Sequence, residues 1–238
     1  STYAVNPEIT SIHVVPTLEA IAAKTPSAQH AQATTWTANV LLTAMNDGAL
    51  TPGTKLSEQR IAEKLDISRN TLRQAFMILV EQNLLEQIPN RGVFVRVPDA
   101  EQIQEMFTVR LALESTAIEQ APSGESDVFR SIMQRSVRSR QLGSVSGMAD
   151  ANQDFHRELV HLARSPRLDY LMSSVLAEMR LLFFSMVTMP SFHARFVDLN
   201  QELLHLIEKG EKERAQKFLR EYLQLSQESF TQRLEAWE

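Results

Sequence analysis

The chain has 238 residues, 43% hydrophobic and 22% charged, with a formal net charge of −5 and no cysteine. That length suits two modest domains, and the missing cysteine excludes disulfides and thiolate metal sites, as in a reducing cytoplasm. No apolar run approaches the roughly 20 residues that cross a bilayer, and the start of the chain lacks the basic residues and continuous apolar core of a signal peptide. The expectation is a cytoplasmic protein with no membrane partner.

Residues 1–32 carry Pro7, Pro16 and Pro26 among Ala, Ser and Thr, and only Pro16 to Lys24 has the composition of a short helix. We expect a flexible N-terminal arm. From Ala33 to Asn46, Trp36, Val40 and Ala44 recur every four residues and Gly48 ends the helix. Pro52-Gly53 turns the chain before Lys55-Leu56.

The next stretch, SEQRIAEKLDISRNTLRQAFMILVEQNLL (Ser57 to Leu85), reads as two short helices about a tight turn. Ser57 caps the first, with Glu58 at its positive end and Ile61, Ala62 and Leu65 on one side. Asp66-Ile67 turns, and Ser68 caps the second. At about 100° per residue, Leu72, Ala75, Phe76 and Leu79 share one arc of that helix while Arg69, Asn70 and Arg73 share another. Taken alone, three polar residues more often form a solvated face. The residues C-terminal to them shift the balance: Leu84 to Ile88 and Val93 to Val97 read as strands about a Pro89-Asn90-Arg91-Gly92 turn. Helix, turn, helix and wing arrive in order, and Arg and Asn offer the paired groups that base edges demand.

Beyond Pro98 every segment reads helical: Asp99 to Gln120, Asp127 to Gln141, Asp150 to Arg164, Leu168 to Met189, Phe192 to Lys209, and Glu211 to about Trp237. Pro, Gly and Ser clusters separate them, including Leu142 to Gly147 and Pro190-Ser191. An antiparallel bundle of six or seven helices is expected, giving a mainly α chain divided at 1–32 (arm), 33–97 (winged domain) and 98–238 (bundle).

Several polar residues fall on the apolar stripes. Arg110 and Glu114 sit four apart among Ile103, Phe107, Leu111 and Ala117. Asn152 and His156 accompany Phe155 and Leu159, Asn200 accompanies Phe196 and Leu203, and Tyr222 accompanies Phe218 and Leu219. Arg180 flanks the stripe of Val175, Met179 and Phe183. Each has a plain structural reading: an internal ion pair for Arg110 and Glu114, a satisfied core histidine for His156, a core tyrosine for Tyr222. Together, polar groups converging from four or five helices are how a bundle builds a ligand site. No nucleophile and base pair, Gly-rich phosphate loop or paired carboxylates points to an enzyme.

LTPGTKLSEQRIAEKLDISRNTLRQAFMILVEQNLLEQIPNRGVFVRVP (Leu50 to Pro98) resembles the winged helix-turn-helix of GntR-type bacterial transcription regulators. The resemblance assigns DNA contacts to Gln59, with Arg60 beside it, to Arg69, Asn70 and Arg73, and to Arg91 and Gly92. RLALE (Arg110 to Glu114), NQDFHREL (Asn152 to Leu159) and LIEKGEKERA (Leu206 to Ala215) resemble the helical effector domain, called FCD, of the FadR-type subfamily. Many of its members bind a divalent metal at four positions that here carry Asn152, His156, Asn200 and Tyr222. With one of four ligands kept, no metal or other cofactor is expected. The resemblance implies a homodimeric DNA-binding regulator, a repressor, acting on a palindromic operator. Its effector would be a small organic molecule, a carboxylic acid, held by Arg110, Asn152, His156, Arg180, Asn200 and Tyr222. The alternative is an effector-independent DNA-binding protein whose bundle only dimerises.

The charge divides as −1 over residues 1–32, +1 over 33–97 and −5 over 98–238. DNA affinity would therefore rest on the placement of a few cations, with strong salt dependence.

Overall fold

The computed structural model describes residues 14–24 and 32–236. These fall into two compact units, divided between Pro98 and Asp99.

Within the expected arm, the segment read as a possible short helix is a packed one. Val14–Lys24 is a helix, α1, that packs against α2 (Ala33–Asn46) and α3 (Glu58–Leu65). Leu18 and Ile21, one turn apart, are buried there, and Glu19 meets Lys64 at 3.1 Å. Pro16 lies in the first turn, where its missing N–H costs nothing. The short helix read from Pro16 to Lys24 is thus present and starts two residues earlier; the rest of the arm, 1–13 and 25–31, lies outside the described residues.

α3 and α4 (Arg69–Glu81) are each capped by the predicted serine: Ser57 Oγ accepts from the Arg60 N–H and Ser68 Oγ from the Thr71 N–H. Between them Asp66 adopts φ +52°, the left-handed residue that ends α3 and turns the chain into α4. Leu72, Ala75, Phe76 and Leu79 are buried along α4. β2 (Leu85–Ile88) and β3 (Gly92–Val95) form the wing, pairing Leu85 with Val95 and Ile88 with Gly92. Lys55–Leu56 adds a strand, β1, that the hairpin reading omits; it pairs antiparallel with β3, giving the order β1-β3-β2.

The second unit is a bundle of α5 (Ala100–Gln120), α6 (Asp127–Gln141), α7 (Val145–His161), α8 (Pro166–Phe184), α9 (Pro190–Glu208) and α10 (Lys212–Glu235). α7 packs on α5, α6, α8 and α9, and α10 lies along α5 and α9. Burial matches that placement: Phe155, Leu159 and Val160 of α7 are fully enclosed, each contributing about 1.5–3 kcal/mol. Two boundaries differ from expectation. α7 begins five residues before Asp150, because Ser144 Oγ caps it through the Gly147 N–H, so Gly147 lies inside the helix rather than in a linker. α8 ends at Phe184 rather than Met189, and Pro190-Ser191 opens α9 instead of separating helices, since proline fits a first helical position.

Candidate functional site

On the winged unit, α4 buries one arc and presents Arg69, Asn70 and Arg73 on another. Both arginines are held by Glu58 of α3: its Oε1 lies 2.9 Å from Arg69 Nε and 2.8 Å from Arg73 Nη2. The Arg73 hydrogen bond is the largest influence holding the Glu58 carboxyl below its usual range; slight burial opposes it and Arg69 adds to it. Gln59 is exposed and donates to Glu63 Oε1 at 3.2 Å, while Arg60 is exposed with its backbone N–H closing the Ser57 cap. At the wing tip Arg91 is exposed, its guanidinium carbon 5.8 Å from the Phe94 ring centre, and Gly92 adopts φ +113°. A Cβ on Gly92 would stand 3.1 Å from Lys55 Cε, so Lys55 shares the wing's end.

In the bundle, five of the six expected positions meet. Arg110 Nε donates to Glu114 Oε2 at 3.0 Å, and Glu114 Oε1 takes a short bond from His156 Nδ1. His156 Nε2 lies 2.7 Å from the Tyr222 hydroxyl, which is 2.6 Å from Asn200 Oδ1 and 3.3 Å from Asn152 Oδ1; Asn200 Nδ2 reaches Asn152 Oδ1 at 2.6 Å. Arg110, Glu114, His156 and Asn200 are at least 98% enclosed. Arg180 does not join them. It is turned to Asp150 on α7, so a flanking position on the stripe left its long side chain free to reach a partner outside the cluster.

The electrostatics of this chain of bonds are set by burial. Burial pushes the Glu114 carboxyl up, but Arg110 and His156 outweigh it and hold the group below its ordinary value. Burial pushes His156 down, against the pull of Glu114, so the ring is neutral at pH 7. Burial also drives the Tyr222 phenol well above its usual range. Neutral His156 with its proton on Nδ1 leaves Nε2 as an acceptor, and Tyr222 has one proton to give. Satisfying Nε2 then requires an amide nitrogen of Asn200 or Asn152, rather than an oxygen, to face the phenolic oxygen. The cluster thus has two hydrogen-bond arrangements: Tyr222 donates to Asn200 Oδ1, or it donates to His156 Nε2 with an amide turned to face the phenolic oxygen by its nitrogen.

Arg110 Nη2 is buried with no hydrogen-bond partner. Arg110 also lines a cavity of about 10 Å³, together with Asn152, Tyr222, Phe183, Phe192 and Phe196. That is room for about one water. His193 also lines it, its ring 3.1 Å from the Met186 carbonyl.

Residues 37–95 match the family model of bacterial regulatory proteins, gntR family, and residues 105–225 match the FCD domain. A GntR transcriptional regulator of known structure from Rhodococcus sp. RHA1 is 35% identical, with TM-score 0.76 over 83% of this chain and 96% of that one. The chain belongs to the GntR family and carries an FCD domain.

Among curated relatives, the Nta operon transcriptional regulator of Aminobacter aminovorans is 29% identical over 49% of this chain and 57% of its own length. The HTH-type transcriptional repressor RspR of Escherichia coli is 25% identical over 48% and 52%. The chain thus spans little more than half the length of these curated relatives. McbR/YncC of E. coli, at 21% identity and TM-score 0.69, shares the fold. The family and these relatives are transcriptional regulators rather than enzymes, and a GntR winged domain joined to an FCD domain fits DNA-binding regulation of transcription. No described helix is long and apolar enough to cross a membrane.

In this GntR chain the sequence reading passed over two residues beside the winged face, Glu58 and Lys55. Glu58 appeared only as a helix-end charge; its spacing of 11 and 15 residues from Arg69 and Arg73 carries no local signal. Lys55 reaches the wing through β1, a two-residue strand too short to read from alternation.

Proposed function

We propose that this GntR chain is a homodimeric repressor, binding a palindromic operator through its winged units and released by a small carboxylic acid bound in the FCD bundle. The observation that supports the effector is Arg110: its guanidinium is buried and spends one N–H on Glu114, which leaves further donors, and a carboxylate is the group that takes two of them at once. The cavity beside it has room for one water only, so an acid must select an opened bundle. Its differential affinity for open and closed forms is then the whole of its regulatory leverage. A repressor role is supported by the relative named as one.

Metal is no part of this reading, and the donor set supports that. Both ring nitrogens of His156 are engaged, the two amides bond each other, and Tyr222 stays a phenol rather than the phenolate a metal needs. Among the described residues no three His, Asp or Glu are grouped to hold an ion. Elemental mass spectrometry of untagged protein purified without chelator is expected to find no stoichiometric zinc or nickel; about one ion per chain would overturn this.

A thermal-shift panel of small carboxylic acids tests the effector. At least one is expected to raise the melting temperature and to release labelled DNA, and the Arg110→Gln, Glu114→Gln double variant, which removes both buried charges together, is expected to lose both effects. A second reading, in which the bundle only dimerises, is favoured by the closed, largely self-bonded cluster. It prevails if no acid shifts melting or DNA binding while light scattering still gives twice the chain mass.

A further inference from the structure

We propose that Glu58 is a positioning residue for the DNA-reading face, fixing Arg69 and Arg73 and setting how sharply the protein separates its operator from other DNA. This rests on the reading that α4 faces DNA.

A single carboxylate oxygen bonds both arginines, one through Nε and the other through Nη2. Arg69 and Arg73 stand one helical turn apart, where like charges repel and long side chains would splay. Sharing one acceptor holds the two guanidinium groups together across α4. Each keeps further N–H groups for base or phosphate oxygens, since a guanidinium carries five donors and one of each is spent. The arginines are 60% and 58% exposed and Glu58 27%, so the clamp stands at the surface where DNA would lie.

Charge and geometry each have a consequence. The three groups sum to +1 rather than +2, which weakens attraction to any phosphate backbone regardless of sequence. The ordering of both side chains is paid for before DNA arrives, which favours the base pairs whose acceptors match the held geometry. Both effects lower non-specific binding relative to specific binding. Glu58 itself offers DNA no donor; it acts through the arginines.

The probes are the duplex most enriched from a random-sequence library by the wild-type protein and a scrambled duplex of equal length. Binding of each is measured against salt for wild type, Glu58→Gln, Glu58→Asp and Arg73→Ala. Glu58→Gln is expected to bind the scrambled duplex more tightly, with a salt slope steeper by about one, and to lose about tenfold in discrimination. Glu58→Asp keeps the charge at the start of α3 but is one methylene shorter; it is expected to lose discrimination too, with an unchanged melting temperature. If Glu58 only stabilises the helix end, Glu58→Asp matches wild type throughout and Glu58→Gln lowers melting at an unchanged discrimination ratio. That result, with Arg73→Ala still weakening binding, overturns the positioning role alone. Arg73→Ala binding both duplexes as wild type does would overturn the placement of α4 on DNA, and the positioning role with it.

Discussion

Glu114 holds the bundle's polar cluster together, with Arg110 on one carboxylate oxygen and His156 on the other. Removing one member leaves the rest buried and unanswered, so Glu114→Ala is expected to cost about 3–5 kcal/mol in urea unfolding. Replacing Arg110 and Glu114 together by Met is expected to recover most of that, because no uncompensated charge remains. A double variant as unstable as the single would show that packing, not charge, dominates there. The pH dependence has its origin in the same burial. His156 and His193 both titrate below the ordinary value of 6.5 in the folded chain, each pushed down by burial, while their unfolded counterparts take up protons near it. Stability is thus fully present above about pH 6.5 and falls as pH drops through that value, at about 1.4 kcal/mol per pH unit for each protonated histidine. Glu114, held below 4.5, adds a further loss as pH falls under that value. His156→Asn is expected to make the fall in stability below pH 6.5 shallower. An unaltered slope in urea midpoints would mean that His156 is charged in the folded state. The sequence named Arg110, Glu114, His156, Asn200 and Tyr222 because each breaks an apolar stripe. Which atom bonds which, and that Arg180 turns away, depended on helix rotations that no single stripe contains.

The elements are held at their ends by short local signals, and these were the most legible part of the chain. Ser57 and Ser68, read as caps, each accept the backbone N–H three residues on; Asp99 does the same and completes a reciprocal capping box with Gln102 that the sequence reading did not name. The turn between α3 and α4 depends on Asp66 at φ +52°. Asp66→Gly is expected to leave the winged unit as stable or slightly more so, whereas Asp66→Val should cost about 1–2 kcal/mol, measured by denaturant unfolding. At the wing tip, Gly92→Ala would combine a disfavoured φ of +113° with a contact at 3.1 Å to Lys55. A loss of about 1 kcal/mol and a several-fold weaker grip on DNA are expected, and wild-type DNA affinity would show that the wing does not contribute. Reading failed where an element was short or was judged by composition. β1 has two residues, and α1, though its residues were read as able to form a short helix, was left in a flexible arm because one weak segment does not show what it packs against. The early start of α7 was equally local, but the Ser144 cap was overlooked beside Gly143 and Gly147.

For the molecule as a whole, a net charge of −5 means that the proposed binding to DNA would work against the overall field and depend on the few cations of the winged unit. Arg73→Ala is expected to lower operator affinity and to relax base preference, read by anisotropy on the selected duplex and its single-base variants. An equal loss on all sequences would make Arg73 a phosphate contact instead. The sequence by itself determined the fold class, the two families of element and the residues on each face, because capping, periodicity and turn chemistry are encoded within a few positions. Only the tertiary structure decided the pairings at long separation. Glu58 with both arginines, Glu114 with His156 across 42 residues, and His156 with Tyr222 across 66 all join helices whose relative rotation is set by packing. The same packing closed the space beside Arg110 to about 10 Å³, since a cavity is a property of several surfaces meeting and of none alone.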